Sequence, residues 1–233
     1  MLKGECMKLF WITLLLCLEA HCETQVFEAV AKYKGQVAYL ERHTVVYDEQ
    51  TLIKSQTEYL DPAGKPIASL RSDFTHSLAA PEYIFQDRRQ HSLQGQRWMK
   101  QNLEVFSQTK QQKQIEKKHL RPSPELMMGG EGIIYYIGAH LKELINSEGM
   151  DFKFIIPGRL SAFDFVIKPL AHNDEEASFE IKMKSWIMRL FGPRLKLIYD
   201  LPNKRLKSFE GLSNLRNPEG EMMSVDIQYV YEN

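Results

Sequence analysis

The sequence predicts a mainly β (α+β) protein, built as a strongly curved antiparallel sheet or half-barrel of about ten strands with one main helix. Three observations favour this fold class: repeated alternation of apolar and polar residues, turn residues between the alternating runs, and a single stretch with helical spacing. The chain is 43% hydrophobic, so it has enough apolar side chains for a substantial core.

Period-two alternation marks the strands in chain order. The run from Tyr33 to Tyr47 keeps its apolar residues in phase and is expected to bend or bulge near Gly35. Later runs with the same alternation are 151–156, 160–168, 177–183 and 222–231. Turn residues between the runs lie at 61–64, 192–193, 201–203 and 217–220. This succession predicts an antiparallel meander.

One segment, residues 131–148, has helical rather than strand character. Its apolar stripe consists of Ile134, Ile137, Leu141, Leu144 and Ile145. Gly149 follows as a C-cap, and Ser123-Pro124-Glu125 resembles a helix entry. A single helix of this length covers only part of a ten-stranded sheet, so we expect either a closed sheet or an apolar surface left for a ligand.

The first 22 residues are interpreted as a signal peptide, and residues 23–233 as a single β-rich domain. The apolar run 9–18 is too short to span a membrane, and it follows Lys3 and Lys8. Cleavage is expected after Cys22, with Met1 or Met7 as the start. Lipid attachment to Cys22 and a retained membrane anchor are the two alternatives. The sequence therefore predicts a periplasmic or secreted protein that does not span the membrane after cleavage.

Charge and cysteine content exclude several function classes. Lys plus Arg and Asp plus Glu both number 30, and this balance argues against a dedicated nucleic-acid binder. All three cysteines lie in the predicted leader, so no disulfide framework or cysteine metal site is expected in the domain. Residues 107–124 are polar and basic, which indicates either a solvated loop or lysine-guarded strand edge, or a contact for a polyanion or lipid headgroup.

No catalytic, cofactor or metal motif emerges. The string from Gly211 to Leu215 lacks the second glycine of a nucleophile elbow, and Gly129-Gly-Glu-Gly132 lacks the Gly-Lys-Ser/Thr of a phosphate loop. Glu41 and His43 would share one strand face, but zinc usually needs three or four such donors. We therefore expect no bound metal and no cofactor.

Two sets of residues are candidates for a site. The first set is aromatic or apolar and would line a concave cavity for a lipid or another apolar ligand: Phe154, Phe163, Phe165, Trp186, Tyr136 and Ile137. The alternative for these residues is an ordinary core between sheet and helix. The second set is a polar cluster of His43, Asp73, Asp87 and Arg88, for which ion pairing between facing strands is the alternative to acid–base chemistry.

The chain resembles a family of uncharacterised exported bacterial proteins. The matching strings are YLERHTVVYDEQTLIKSQTEYLDPAGKPIASLRSDF (39–74), YIFQDRR (83–89), IPGRLSAFDFVI (156–167), WIMRLFGPRLKLIYDLPNKRLKSFEGLSN (186–214) and the final VDIQYVY. The general plan is also similar to periplasmic lipoprotein-carrier domains, in which a curved antiparallel sheet is crossed by a helix. The resemblance implies export and a β-rich fold, and it assigns no activity.

These observations predict a non-catalytic exported protein that binds a lipid or other apolar ligand in a concave sheet. The alternative is a structural or protein-interaction module of the cell envelope that uses the sheet edge or the basic segment. An enzyme is a third alternative, for which no sequence motif argues.

Overall fold

The computed structural model describes residues 22–185 and 194–231, and it consists of one fifteen-stranded sheet with two short helices. The mainly β class and the single curved sheet are as predicted. The estimate of about ten strands was too low. It was too low partly because the run 33–47 belongs to two strands and because strands between residues 51 and 120 alternate less regularly.

The strands follow one another along the chain with short connections. In chain order, β1 to β15 are Cys22–Tyr33, Gln36–Asp48, Thr51–Leu60, Pro66–Asp73, Glu82–Asp87, Ser92–Met99, Asn102–Gln108, Glu116–Leu120, Met127–Gly129, Met150–Ile156, Ser161–His172, Glu176–Met183, Arg194–Asp200, Arg205–Arg216 and Met222–Tyr231. The helices α1 (Gly132–Ala139) and α2 (Leu141–Ile145) lie between β9 and β10.

The sheet is made of two meanders joined by the first and last strands. Its order is β8-β7-β6-β5-β4-β3-β2-β1-β15-β14-β13-β12-β11-β10-β9, so β1 and β15 are hydrogen-bonded neighbours in the middle. Every pairing is antiparallel except the short parallel pair of β9 and β10. The predicted antiparallel meander is therefore confirmed from β1 to β8 and from β10 to β15, and β9 departs from it.

The two ends of the sheet overlap. Ile155 of β10 lies on the strand face opposite Phe152 and Phe154, yet it is only 1% exposed. It packs with Leu103 and Val105 of β7, whose side chains point to the interior side of the other end. The inward side of β6 to β8 thus covers the outward side of β9 to β11. The sheet is curved so strongly that its two ends overlap.

The enclosed space is filled by side chains and by the helices. One core cluster packs α1 and α2 against β10 to β14, and Ile137, Phe152 and Phe179 are among its buried members. A second cluster lies along β1 to β5 and β15. Phe209 and Tyr229 contact both clusters, so the two halves share one continuous interior.

The predicted single helix over 131–148 is wrong in detail, because the chain breaks at His140. The ring nitrogen Nδ1 of His140 lies 2.8 Å from the carbonyl oxygen of Tyr136, and the two rings stack with centroids 4.0 Å apart. The backbone N–H of His140 still donates to this carbonyl at 3.1 Å, but the backbone of His140 has φ −116° and ψ 23°, outside helical geometry, and this interrupts the helix. Helix entry at 123–125 is also wrong: Ser123 Oγ accepts from the backbone N–H of Glu125 in a turn that leads to β9.

The expected bend near Gly35 is a hairpin turn. Lys34 and Gly35 both have positive φ, 51° and 80°, and they connect β1 directly to β2. Such angles suit a two-residue hairpin loop, and glycine adopts them without strain. The irregularity in register lies slightly earlier, between Ala31 and Lys32.

Some predictions fall outside the described residues. These are the leader up to His21, the turn at 192–193 and the candidate ligand residue Trp186. The division into a signal peptide and one domain stays a prediction. No helix within the described ranges is long and apolar enough to span a membrane.

Candidate functional site

A concavity of about 590 Å³ lies on the outward face of β2 to β7. Its outward-pointing side chains include Thr44, Gln56, Arg71, Ile84, Arg97 and Phe106. A volume of this size lies within the range of ~300–1,000 Å³ that is usual for small-molecule sites. We call this surface the outer groove.

The residues at the base of the outer groove are brought together by the registers of the strands. Thr44 pairs with Gln56, Gln56 with Arg71, and Arg71 with Ile84. The same row continues through Gly95 to Phe106. Because directly paired residues on neighbouring strands share a face, residues distant in sequence form one line across six strands.

Gly95 allows an aromatic ring to cover the sheet at this point. A Cβ atom on Gly95 would collide with the carbonyl oxygen of Tyr83 and would lie 2.7 Å from Phe106 Cζ. The ring of Phe106 therefore occupies the space that a side chain would take, and Phe106 is only 7% exposed although it points outward. This packing gives the outer groove an apolar end.

Charged groups lie along the rim. Arg97 donates to Glu104 Oε1 at 2.8 Å, and although burial alone would raise the pKa of Glu104, Arg97 and Lys117 hold it below its ordinary value. Burial also raises the pKa of Asp73, but hydrogen bonds from Thr75 and the charge of Lys54 lower it overall. Both carboxylates are therefore ionised and neutralised by neighbours.

Arg71 differs from Arg97, which is paired with Glu104, and from Lys54, whose charge acts on Asp73. It is exposed and forms no ion pair with any described residue. Ile84, its direct cross-strand neighbour, is 51% exposed. An unpaired guanidinium beside an exposed aliphatic side chain can contact a molecule with an anionic part and an apolar part.

An inner polar cluster lies on the opposite face of the same strands. It comprises Glu41, His43, Ser55, Thr57 and Glu131, all buried. His43 Nε2 lies 2.9 Å from Glu41 Oε2, and Nδ1 lies 2.9 Å from Thr57 Oγ1. The two ring nitrogens of His43 thus bridge a carboxyl group and a hydroxyl group. The predicted shared face of Glu41 and His43 is confirmed.

Glu131 joins the helix start to this cluster. Ser55 Oγ donates to Glu131 Oε1, while the Ser72 hydroxyl lies nearby but outside hydrogen-bond geometry. Burial raises the pKa of Glu131, and the nearby hydroxyls and His43 offset this only in part. The carboxyl is therefore easier to protonate than an exposed one.

The order Thr57–His43–Glu41 resembles that of a nucleophile, a base and an acid. However, Thr57 is 1% exposed, and the ring of Phe27 stacks on His43 with centroids 4.6 Å apart. A substrate cannot reach the hydroxyl in this arrangement. The inner polar cluster therefore acts as a structural hydrogen-bond network.

The four residues of the predicted polar cluster lie in different places. His43 is in the interior, and Asp73 is on the outward face at the end of β4. Asp87 is 2% exposed and accepts hydrogen bonds from the backbone and guanidinium of Arg89. Arg88 is exposed in the turn after β5. The described structure does not bring the four into one cleft.

The predicted ligand-lining residues lie in the core next to the helices. Phe165 and Ile137 are buried there, and Phe154, Phe163 and Tyr136 pack against that core at its margin. Phe152 and Phe165 have ring centroids 5.9 Å apart, as in an ordinary aromatic core. Whether any of them contacts a ligand stays a prediction.

Sequence reasoning missed the residues of the outer groove. Arg71 and Gln56 look like ordinary solvent-facing positions of strands. The one signal was the continuous apolar run Tyr83-Ile84-Phe85, in which Ile84 breaks the alternation on the solvent side. A second pocket of about 250 Å³, lined by Phe27, Arg205 and Tyr231 among others, is smaller than most ligand sites.

Metal ligands do not converge in the part of the chain that the structure describes. Within 22–185 and 194–231, no group of three or more His, Cys, Asp or Glu side chains could hold an ion. Glu41 and His43 supply only two donors, and each already bonds the other.

Comparison with known proteins gives one structural likeness. No family model matches the chain, and no curated protein matches it. A crystal structure of a beta-barrel-like protein of a domain of unknown function, DUF1849, from Brucella abortus matches over 90% of this chain and 97% of that chain, at 7% identity and a TM-score of 0.43. A likeness at this level leaves the function open.

Proposed function

We propose that the protein is an exported, non-catalytic binding protein whose outer groove holds an amphiphile with an anionic group. The proposal keeps the lipid-like ligand that the sequence predicted. It places this ligand in the outer groove instead of the concave interior of the sheet. The described interior is filled by the helices and by side chains such as Phe152 and Phe179, whereas the outer groove is open.

The observation that carries the proposal is the pairing of Arg71 with Ile84 inside a groove of about 590 Å³. The guanidinium can donate two parallel hydrogen bonds to a carboxylate or phosphate. The apolar part of the ligand would cover Ile84 and extend toward Phe106, and its burial would supply most of the affinity.

The charge balance of the rim favours an anionic ligand over a cationic one. Lys54 lies opposite Asp73 in the strand register, and Arg97 is bound to Glu104. Glu82 Oε1 accepts a hydrogen bond from the backbone N–H of Trp98 at 3.0 Å. Arg71 is therefore the rim charge that a ligand can neutralise at the lowest desolvation cost.

Titration with dansyl-labelled undecanoic acid tests the proposal, with dansyl fluorescence as the measured signal. Arg71→Gln removes the anion contact, and Ile84→Glu places a carboxylate where the acyl chain should lie. We expect each change to weaken binding about tenfold, since each removes roughly 1.4 kcal/mol or more of interaction.

Two matched variants serve as controls. Leu170→Glu alters an outward aliphatic side chain that is 53% exposed, and Arg159→Gln removes an exposed arginine elsewhere. Both should bind the probe like the unaltered protein. Equal affinity in all five proteins, or loss in the controls as well, would rule out the outer groove. Intact mass of protein recovered from cells tests export: loss of residues 1–22 is expected.

A further inference from the structure

Strand β8 leaves one end of the sheet open. It pairs with β7 on one side, and no described backbone group bonds its other side. Four of its five side chains are exposed. In an antiparallel pair, alternate residues direct their N–H and C=O groups away from the neighbour, so β8 presents unpaired groups at its free edge.

The opposite end of the sheet is protected. The backbone N–H of Gly129 in β9 donates to the carbonyl oxygen of Ala79 at 3.0 Å. Met127 of the same strand packs in the overlap cluster with Leu103 and Val105. Of the two sheet ends in the described structure, β8 is therefore the one that can accept a further strand.

Positive charge concentrates at this open end. Residues 110–121, which we call the basic edge, contain five cations and one carboxylate: Lys110, Lys113, Lys117, Lys118, Arg121 and Glu116. Lys117 lies 3.4 Å from Glu104, whereas the other four cations form no ion pair with described residues. The chain as a whole has no net charge, so this excess is local.

An apolar side chain accompanies the charges. Ile115 comes directly before β8 and is 41% exposed. An added strand would cover the side chain of Ile115. Acidic side chains of that added strand would lie close to the lysines of the basic edge. Lysines on an edge strand also repel an identical edge, which disfavours pairing between two copies of this chain.

We propose that the basic edge accepts an extended acidic segment of a partner protein as a sixteenth strand. Backbone hydrogen bonds to β8 would fix the segment, and its acidic side chains would select it. A peptide satisfies both requirements, whereas a polyanion without an amide backbone satisfies only the second. This proposal is independent of the outer groove.

A fluorescein-labelled seven-residue peptide of alternating glutamate and valine is a suitable probe. We expect measurable binding by fluorescence anisotropy and slowed hydrogen exchange of the amides in 116–120. The triple variant K110Q/K113Q/K118Q, which spares Lys117 and its contact with Glu104, should bind about tenfold more weakly. The variant K65Q/K142Q, with exposed lysines elsewhere, should bind like the unaltered protein.

Three results would overturn the proposal: no binding, binding without slowed exchange at 116–120, or the same affinity in the triple variant. Heparin provides the remaining test, because it carries negative charge without amide groups. Heparin should not slow exchange of these amides. Equal slowing by heparin would show a general anion surface instead of strand addition.

Discussion

At the scale of single residues, Glu131 explains the glycine-rich string 129–132. A Cβ on Gly129 would collide with Gln96, and a Cβ on Gly130 would lie 2.8 Å from the ring of Tyr83. Gly130 also has a φ of 54°. The glycines therefore let the chain approach the sheet closely enough for the Glu131 carboxyl to accept a hydrogen bond from Ser55.

Glu131→Gln should make stability less sensitive to pH. The pKa of Glu131 in the folded protein lies above its ordinary value of 4.5, mainly because of burial. Its contribution to stability is thus full below about pH 4.5 and is lost as pH rises through the folded pKa. Within that window the variant should gain on the unaltered protein as pH rises, by at most about 1.4 kcal/mol per pH unit in urea unfolding.

Glu143→Gln is the matched control, because Glu143 is exposed on α2. This control should change the free energy of unfolding by less than about 0.5 kcal/mol. A constant difference between Glu131→Gln and the unaltered protein from pH 4 to pH 8 would contradict a raised pKa.

At the scale of elements, β7 covers the outward face of β10. Ile155 points outward from β10 and is nevertheless buried, because it lies in this overlap. Ile155→Asp should destabilise the protein by about 3 kcal/mol or more, because it places a carboxylate among Leu103 and Val105. Thermal unfolding measures the change. Leu170→Asp, on the neighbouring strand and 53% exposed, should cost less than about 0.5 kcal/mol.

A tolerated Ile155→Asp would mean that the two sheet ends do not overlap in solution. Gly158 offers a check that the 150–160 region accepts change in general. A Cβ there would meet only Gln94 Oε1 at 3.1 Å, the end of a flexible side chain. Gly158→Ala should therefore have little effect on the unfolding temperature.

Alternation predicted the strands whose two faces differ most. The runs 151–156, 177–183 and 222–231 correspond to β10, β12 and β15 within a residue or so. Phe179 and Ile181 are buried while their neighbours Glu180 and Lys182 are partly exposed, so the pattern is visible in the sequence. The helix break was not predictable from apolar spacing, because it lies in the backbone angles of His140, a residue outside the apolar stripe.

At the scale of the whole molecule, the outer groove shows why its site could not be predicted. Gln56, Arg71 and Ile84 become neighbours only through the registers of β3, β4 and β5. A shift of one residue in any of these strands would send its side chain to the other face. The sequence does not state register, so the apolar run 83–85 could have pointed to Ile84 but not to the arginine beside it.

Hydrogen exchange should rank the strands by their distance from the ends of the sheet. β1, β2 and β15 have neighbours on both sides and contribute to the shared interior, so their amides should exchange only on global unfolding. β8 should exchange fastest, because it has one partner and exposed side chains. Equal protection of β8 and β1 would contradict an open end at β8.

The pairing of β1 with β15 has a topological consequence. If residue 231 were linked to residue 22 and the chain were cut between β8 and β9, every strand pairing would survive. The circularly permuted chain would cross the sheet from one border to the other in strictly consecutive order. The pairing of β1 with β15 would then join two strands that are adjacent in sequence. The large sequence separation of these strands therefore results from the connectivity of the chain and not from the strand order of the sheet.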